Sequence, residues 1–311
     1  MSFEIRPFQR ENEHVLIALA GPSGGGKTLS SLKLARGLAQ GGKIGFVDTE
    51  RGRGRHYADG DTAIIYGMLT APFSPEAYTD AAKKMEQAGA AVIIIDSMSL
   101  EWSGEGGCLE MQEAELDRMA GQDWGKRDRA RMSAWIRPKM AHKKMVGRLL
   151  QMDAHLIFTL RAEEKVRPEK GPDGKTVIVP LGWMPICEKN WMYEQTASFM
   201  LSDTERHLAT PIKLQAQHRT FFPPDKPIGE ESGGALAKWA RGAGVETTPE
   251  TADAQSIYDE IVAFARSTTD SAALRTAWQH DGSVHVLKRT NADLYAQAHK
   301  IVTDRLKELR A

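Results

Sequence analysis

A glycine-rich octapeptide near the amino terminus constrains this chain more than any other feature. Residues 21–28 read Gly-Pro-Ser-Gly-Gly-Gly-Lys-Thr. They follow an apolar run, 15–20, that predicts a strand buried on both faces. After them, from Thr28 to Ala39, apolar residues recur at the spacing that predicts a helix. Glycine lets the backbone curl so that several amide N–H groups face one nest at the start of a helix. The order strand, glycine-rich turn, helix predicts a phosphate-binding P-loop.

The motif predicts which residues hold a nucleoside triphosphate. Lys27 is expected to reach the β- and γ-phosphates, and the Thr28 hydroxyl is expected to coordinate Mg²⁺. The predicted nucleotide-binding residues are Gly21, Pro22, Ser23, Gly24, Gly25, Gly26, Lys27, Thr28 and Leu29. A chance match to the pattern is the alternative, and the flanking strand and helix argue against it. The predicted cofactors are therefore ATP and Mg²⁺, although the residues do not distinguish ATP from other triphosphates.

Composition limits the kinds of partner. The 311 residues carry 41 basic and 41 acidic side chains, so binding to nucleic acid must come from local patches. The two cysteines, Cys108 and Cys187, are far apart and form no CxxC unit, which suggests neither a disulfide framework nor a zinc site. Residues 1–6 have mixed charge and about 18 apolar residues never run together. We expect a cytoplasmic protein without a membrane partner.

Strand and helix signals alternate along the first half of the chain. The strand candidates are 15–20, 44–48, 91–96 and 154–160, and the helix candidates are 28–39, 78–88 and a long stretch that ends near Met152. This alternation predicts an α/β fold whose parallel-dominated sheet is flanked by helices. Residues 176–180, after the turn residues 171–174, predict part of a hairpin loop.

The composition also predicts domain boundaries. Residues 223–250 are rich in Pro, Gly and acidic side chains, with helical periodicity only at 235–241. We therefore predict a P-loop core at 1–225, a linker with a short helix at 226–250, and a helical carboxy-terminal module at 251–311.

Two carboxylates follow predicted strands. Asp96 ends an aliphatic run and is placed to hold Mg²⁺ at the carboxyl edge of the sheet, as a Walker B aspartate does; the alternative is an Asp that merely ends a strand. Ser97 follows it, so the residue after Walker B is not the water-activating glutamate. Glu50, after the strand 44–48, is the predicted catalytic group that orients or deprotonates water. Its alternative is an exposed loop acid beside Arg51, Arg53 and Arg55.

These motifs carry a family resemblance. Residues 46–50, Phe-Val-Asp-Thr-Glu, and 93–97, Ile-Ile-Ile-Asp-Ser, resemble the RecA-type ATPase core. Residues 159–165, 180–185 and 218–220 further resemble RecA-like ATP-binding proteins of bacteriophages, over about residues 10–243. The resemblance implies a RecA-like P-loop ATPase that acts on DNA in recombination, annealing or replication, assembled as a ring or filament, and located in a bacterial host cytoplasm if phage-encoded.

The resemblance also suggests roles for three cations. Arg161 ends its strand where RecA relatives often carry a polar sensor, so it is a candidate catalytic or sensor residue. RecA itself has glutamine near this position. Lys213 and Arg219 resemble basic residues that such ATPases offer across a subunit boundary, with an ordinary solvated pair as the alternative.

Two basic regions predict binding to single-stranded DNA. Between residues 126 and 148 there are nine Lys or Arg side chains against one acid, Asp128, with Trp124 and Trp135 interleaved. The alternative is a solvated helix face with core tryptophans, balanced by the acidic stretch 105–117. In RecA-type proteins the loop after the sensor strand contacts DNA. The residues of that loop, 163–180, predicted to bind DNA are Lys165, Arg167, Lys170 and Lys175.

Other functions stay open at this stage. The chain could be an ATP-dependent loader or assembly factor that acts on a protein partner, or a small-molecule kinase that uses the same P-loop. The helical module could bind a single-strand-binding protein, another replication or recombination protein or a neighbouring subunit, or it could only cap the core. The residues do not decide between these partners.

Overall fold

The structure, a computed structural model, divides the chain into two compact units, Met1–Gly242 and Ala243–Ala311. It describes residues 13–57, 63–170, 175–202, 207–242, 254–268, 270–280, 284, 287–288 and 291–309. Each unit is described by itself below. Within the described residues, no helix is both long enough and apolar enough to cross a lipid bilayer.

The first unit is built on one mixed sheet. Its strands are β1 (Leu16–Gly21), β2 (Lys43–Asp48), β3 (Ile64–Met68), β4 (Ala90–Asp96), β5 (His155–Lys170), β6 (Thr176–Pro185), β7 (Ala197–Leu201) and β8 (Ala209–Lys213). The strand order is β3-β2-β4-β5-β1-β7-β8, and β6 pairs only with β5. All pairs are parallel except β5 with β6 and β7 with β8. The sheet is therefore dominated by parallel strands, with β1 and β5 in its centre.

Helices cover both faces of this sheet. They are α1 (Lys27–Ala39), α2 (Pro75–Gln87), α3 (Ser99–Ser103), α4 (Cys108–Ala120), α5 (Trp124–Ala130), α6 (Ile136–Leu149), α7 (Trp191–Glu194) and α8 (Glu230–Ala240). Alternate strand residues enter opposite cores: Ile17 and Leu19 pack in the cluster that contains α1, and Ala18 packs with the residues of α2 and α6. This period of two is what burial on both faces requires. The predicted α/β class is confirmed.

Two glycines let α8 approach α1 closely. A Cβ at Gly37 would lie 2.0 Å from the carbonyl oxygen of Glu230, and one at Gly233 would lie 2.2 Å from that of Leu34. The two helices therefore pack backbone to backbone. The predicted linker with a short helix, 226–250, overlaps α8, and the division of the structure falls after Gly242, so that α8 belongs with the first unit.

Two elements differ from their predicted form. The edge strand β3 was not predicted, although four of its five residues, Ile-Ile-Tyr-Gly-Met, are apolar; the strand is only partly buried because it lies at the edge of the sheet. The segment 163–180 was predicted as a loop, with 176–180 as part of a hairpin loop after the turn residues 171–174, which lie outside the described residues. In the structure β5 continues to Lys170 and pairs with β6 in an antiparallel hairpin. The residues of this hairpin are mostly exposed, so backbone hydrogen bonds define it and the burial pattern does not.

The described residues of the second unit lie mostly in helices, as the periodicity of the apolar residues predicts. They are α9 (Ala254–Ser267), α10 (Ser271–His280) and α11 (Ala292–Glu308). Ile257, Leu287 and Ala298 form one buried cluster, and Ala265, Leu274 and Val302 form another.

Candidate functional site

The glycine-rich segment forms the turn between β1 and α1. Gly24 and Gly26 have φ values of +82° and +79°, in the left-handed region that only glycine adopts without strain. At Gly21 a Cβ would lie 2.9 Å from the carbonyl oxygen of Leu201, so the loop also needs glycine where it passes β7. The turn delivers Lys27 and Thr28 at the amino end of α1, where the helix dipole favours anions.

Lys27 is folded over the loop. Its Nζ donates to the carbonyl oxygens of Gly21 at 3.0 Å and Pro22 at 2.7 Å. Burial lowers the pKa of Lys27, and the nearby carboxylates Asp96 and Glu50 partly oppose that shift. The ammonium group therefore lies desolvated at the centre of the site, where an anion would interact with it strongly.

Asp96 lies between two hydroxyl donors. Thr28 Oγ1 donates to Asp96 Oδ2 at 2.7 Å, and Thr159 Oγ1 donates to Asp96 Oδ1. Burial raises the pKa of Asp96, the two hydroxyls oppose this, and the charges of Glu50 and Asp48 add to it. A hydroxyl and a carboxylate that are already in contact form an all-oxygen donor pair, which is the ligand type that Mg²⁺ prefers. Thr159 was not predicted; its only sequence signal is a hydroxyl inside an apolar strand.

Glu50 follows β2, which lies beside β4, so its loop faces the same sheet edge as Asp96. Its Oε1 accepts from Arg161 Nε at 2.8 Å, and its Oε2 lies 3.3 Å from an Arg53 nitrogen. The loop is organised by Asp48, for which no role was predicted. Asp48 accepts from the backbone N–H groups of Glu50 at 2.7 Å and Gly54 at 3.0 Å, and from the Tyr66 hydroxyl at 3.1 Å.

Arg161 belongs to the central strand β5 and pairs in register with Gly21 at the end of β1. Its backbone N–H donates to Ser99 Oγ at 2.9 Å, and its carbonyl accepts from the N–H of Ile186 at 2.8 Å. The guanidinium thereby reaches from the root of the β5–β6 hairpin to Glu50. β5 therefore runs as one continuous strand from its pairing with β1, beside the glycine-rich turn, into the hairpin.

These side chains line one cleft of about 720 Å³. The predicted residues that line it are Ser23, Gly24, Gly26, Lys27, Thr28, Leu29, Glu50, Asp96 and Arg161. His207 also lines it and was not predicted. Its ring lies 3.2 Å from the position of a Cβ at Gly26, and its Nδ1 is buried without a hydrogen-bond partner in the described part of the chain. No sequence pattern distinguishes this histidine.

The two cations suggested for a role between subunits lie elsewhere. Lys213 Nζ donates to the carbonyl oxygens of Tyr193 at 2.7 Å and Gln195 at 2.5 Å, so it satisfies the carboxyl end of α7. Arg219 is exposed on the short 3-10 helix Ala216–Phe221. Neither residue is among the described residues that line the cleft.

The four hairpin cations differ in their surroundings. Lys165 Nζ lies 3.3 Å from Glu163 Oε1, and Arg167 forms an ion pair with Glu169. Lys170 and Lys175 are exposed near the tip. The hairpin also exposes apolar side chains, including Val166, Val177, Ile178, Leu181, Trp183 and Met184. Its surface is therefore less cationic than a count of basic residues predicts.

The second basic region forms the layer of α5 and α6. Some of its charge is neutralised: Arg127 pairs with Glu113 and Asp117, and Arg137 with Glu115. Four cations of α6, namely Lys139, Lys143, Lys144 and Arg148, are exposed, and no ion pair joins them to a carboxylate within the described ranges. They are called the α6 cations below.

The two interleaved tryptophans are not equivalent. Trp124 is 82% exposed, beside Met132 at 80%. Trp135 stacks on Trp102, with ring centroids 5.4 Å apart and an interplanar angle of 11°. Trp124 is therefore open to a base, whereas Trp135 is half-buried and has one face covered by Trp102, which agrees in part with the alternative of core tryptophans.

Comparison with known proteins supports the assignment of the first unit to a family of P-loop ATPases. A family model described as an AAA domain (AAA_24) matches residues 13–181, from the strand that precedes the P-loop to the middle of β6. No curated protein is similar enough in sequence to count as a relative. Among solved structures, the crystal structure of the RadB recombinase is similar at 17% sequence identity and a TM-score of 0.34, over 70% of this chain and 89% of that chain.

Proposed function

We propose that this chain, which belongs to the AAA domain family, is a Mg²⁺-dependent ATPase with a RecA-like core that acts on single-stranded DNA. The process would be recombination, annealing or replication, and the active unit a ring or filament of identical chains. The proposal rests first on the cleft, second on the α6 cations, and third on the resemblance of its motifs to RecA-type ATPases.

One observation carries the nucleotide chemistry: Thr28 Oγ1 and Asp96 Oδ2 are 2.7 Å apart at the mouth of the P-loop. This contact joins the amino end of α1 to the carboxyl end of β4 in one set of oxygen donors. Thr28 and Asp96 would hold Mg²⁺, which neutralises phosphate charge when it is bound with the nucleotide. Lys27 would exchange its two loop carbonyls for phosphate oxygens.

Glu50 is the residue best placed to orient water. It lines the same cleft as Lys27, and Arg161 fixes its Oε1. Phosphoryl transfer depends mainly on placement and charge, so a held carboxylate and a nearby guanidinium are the protein groups that the reaction needs. Arg161 would also link the state of the cleft to the hairpin that begins beyond it.

The DNA-binding proposal rests on the layer of α5 and α6. A strand of phosphates would interact with the α6 cations, and the exposed ring of Trp124 would stack on a base. The hairpin residues Lys165, Arg167, Lys170 and Lys175 are proposed as a second, weaker contact, because two of them already have carboxylate partners.

The test is ATP hydrolysis by wild type and Glu50→Gln, with and without single-stranded DNA. We expect DNA to stimulate wild type, and we expect Glu50→Gln to lose about 100-fold or more in turnover while it still binds nucleotide. Glu76→Gln, an exposed acid in the first turn of α2, is the control and should behave as wild type. Turnover by Glu50→Gln close to wild type would refute the role of Glu50.

A second candidate function has its own support. The apolar side chains exposed on the hairpin, with Ile178 57% exposed, favour a protein surface as the partner. In that case the chain would be an ATP-dependent loader or assembly factor, and its ATPase would respond to a protein and not to DNA. Lys213 and Arg219 are proposed only as candidates for contact with a neighbouring subunit, and the helical module for contact with another replication or recombination protein.

A further inference from the structure

Away from the cleft, three buried side chains with metal-binding atoms converge. They are Glu101 on α3, Cys108 at the start of α4 and His142 on α6, with exposures of 1%, 0% and 8%. Cys108 Sγ lies 3.2 Å from Glu101 Oε1, and His142 Nδ1 lies 2.9 Å from the same oxygen. All three ligand atoms lie within 4.8 Å of one another.

These separations resemble those of a metal site. A tetrahedral zinc ion holds nitrogen and oxygen ligands roughly 3.3 Å apart, and sulfur and oxygen ligands roughly 3.5 Å apart, from its usual bond lengths. The observed 2.9 and 3.2 Å are each a few tenths of an ångström shorter. A small outward movement of Glu101 Oε1 would therefore open the centre of the triangle to an ion.

The donor types and the charges fit the same ion. Thiolate, imidazole and carboxylate are the three ligand classes that zinc uses in proteins. A thiolate and a carboxylate would balance a dication, which is required where all three groups are buried. His142 also lines a separate cavity of about 430 Å³ with Trp191 and Glu188, from which water could reach a fourth position.

We propose that Glu101, Cys108 and His142 form a binding site for one divalent transition-metal ion of the zinc class. The ion ties α3, which directly follows the Asp96 strand, to α4 and to α6, which carries the α6 cations. The site is independent of the proposed ATPase, because none of its ligands lines the nucleotide cleft. The spacing of the ligands, over 42 positions on three helices, explains why no sequence motif shows it.

The test uses Co²⁺ as the probe, because its absorption reports thiolate coordination and tetrahedral geometry. Full-length protein is stripped of metal with a chelator, kept reduced, and titrated with Co²⁺ without nucleotide. Wild type should bind about one equivalent, with a thiolate charge-transfer band and visible tetrahedral bands that zinc abolishes. Cys108→Ser should lose the charge-transfer band, and Cys187→Ser, which alters the other cysteine, should keep it.

Two further variants test whether Co²⁺ binds in the nucleotide cleft instead, and whether the histidine is one of its ligands. Lys27→Ala, which damages the P-loop, should retain the full Co²⁺ spectrum. His142→Gln should lower the affinity for Co²⁺ at least tenfold, and circular dichroism reports whether each variant is folded. Absence of the bands in folded wild type would show that the three residues form only a hydrogen-bonded cluster, and bands that persist in Cys108→Ser would equally overturn the proposal.

Discussion

Arg161 Nε donates to Glu50 Oε1 at 2.8 Å, joining the central strand β5 to the loop that follows β2. Glu50 is mostly buried and Arg161 is about half exposed, with side-chain exposures of 13% and 45%. In this pairing one oxygen of the candidate catalytic carboxylate is occupied by the guanidinium. A phosphate group in the cleft would compete for Arg161, so the pair could respond to the nucleotide.

The first prediction concerns this pair. Arg161→Ala should lower DNA-stimulated ATP hydrolysis about 100-fold, because a preorganised positive donor leaves the site, while nucleotide affinity changes much less. Arg53→Ala is the matched control, since Arg53 contacts the other oxygen of Glu50 at 3.3 Å and is mostly exposed. Steady-state hydrolysis and nucleotide binding measure the effect. Equal losses in the two variants would contradict a special role for Arg161.

The second prediction follows from the raised pKa of Asp96. When the pH is below the ordinary pKa of 3.8, this carboxyl is protonated and folding does not have to bury its charge. That contribution to the stability of the folded state is lost as the pH rises through the higher pKa of the folded protein. As the pH rises above that ordinary value, the cost of ionising the buried carboxyl therefore lowers the free energy of unfolding. Asp96→Asn should unfold at higher temperature than wild type at pH 7 without ligands, with a smaller difference near pH 4.

The same substitution should remove the additional stabilisation that Mg²⁺ and ATP give to wild type. Asp225→Asn, at an exposed position, is the control and should change neither quantity. Thermal unfolding at several pH values provides both measurements. A lower unfolding temperature for Asp96→Asn at pH 7 would show that the hydroxyls of Thr28 and Thr159 outweigh the cost of burial.

The third prediction compares two sets of four cations. Replacement of the α6 cations by Ala should weaken binding to single-stranded DNA more than replacement of the hairpin set Lys165, Arg167, Lys170 and Lys175. Each phosphate contact that is lost should reduce the salt slope of the binding constant by about 0.7. Fluorescence titrations at several salt concentrations measure both quantities. A larger effect from the hairpin set would identify the hairpin as the principal DNA contact.

The fourth prediction concerns the contact between α1 and α8. Gly37→Ala should lower the free energy of unfolding by about 3 kcal/mol, since the new methyl group would overlap backbone atoms that cannot move independently. Gly147→Ala, in α6 with no atom within 4 Å of the new Cβ, should be neutral or stabilise by about 1 kcal/mol. Chemical denaturation measures both. Similar stability of the two variants would argue against tight helix packing.

Much of the core could be predicted because its signals are local. The segment 15–28 contains a strand, a turn that needs glycine and the start of a helix, and each depends on neighbouring residues only. Burial on both faces makes β4 a continuous apolar run, so Asp96 at its end is visible in the sequence. Glu50 could be proposed because the β2 strand ends just before it.

Other features depend on contacts between distant residues. The hydroxyl of Thr159 reaches Asp96 across 63 positions, and His207, from the segment between β7 and β8, packs on Gly26. Turn residues suggested part of a hairpin loop at 176–180, but the extent of its two strands was not predicted, because their exposed residues carry no burial pattern. The acidic stretch 105–117 was named as a possible balance for the first basic region, and Glu113 does pair with Arg127, whereas the pairing of Arg167 with Glu169 was not predicted.

The sequence by itself determined the α/β core and its phosphate-binding loop, because backbone conformation and burial periodicity are set by short stretches of chain. Only the tertiary structure decided that Glu50 is paired with Arg161, that α8 belongs with the first unit, and that Glu101, Cys108 and His142 meet. These relationships join residues that lie far apart along the chain. Their distances depend on how strands and helices pack in three dimensions, which no local pattern records.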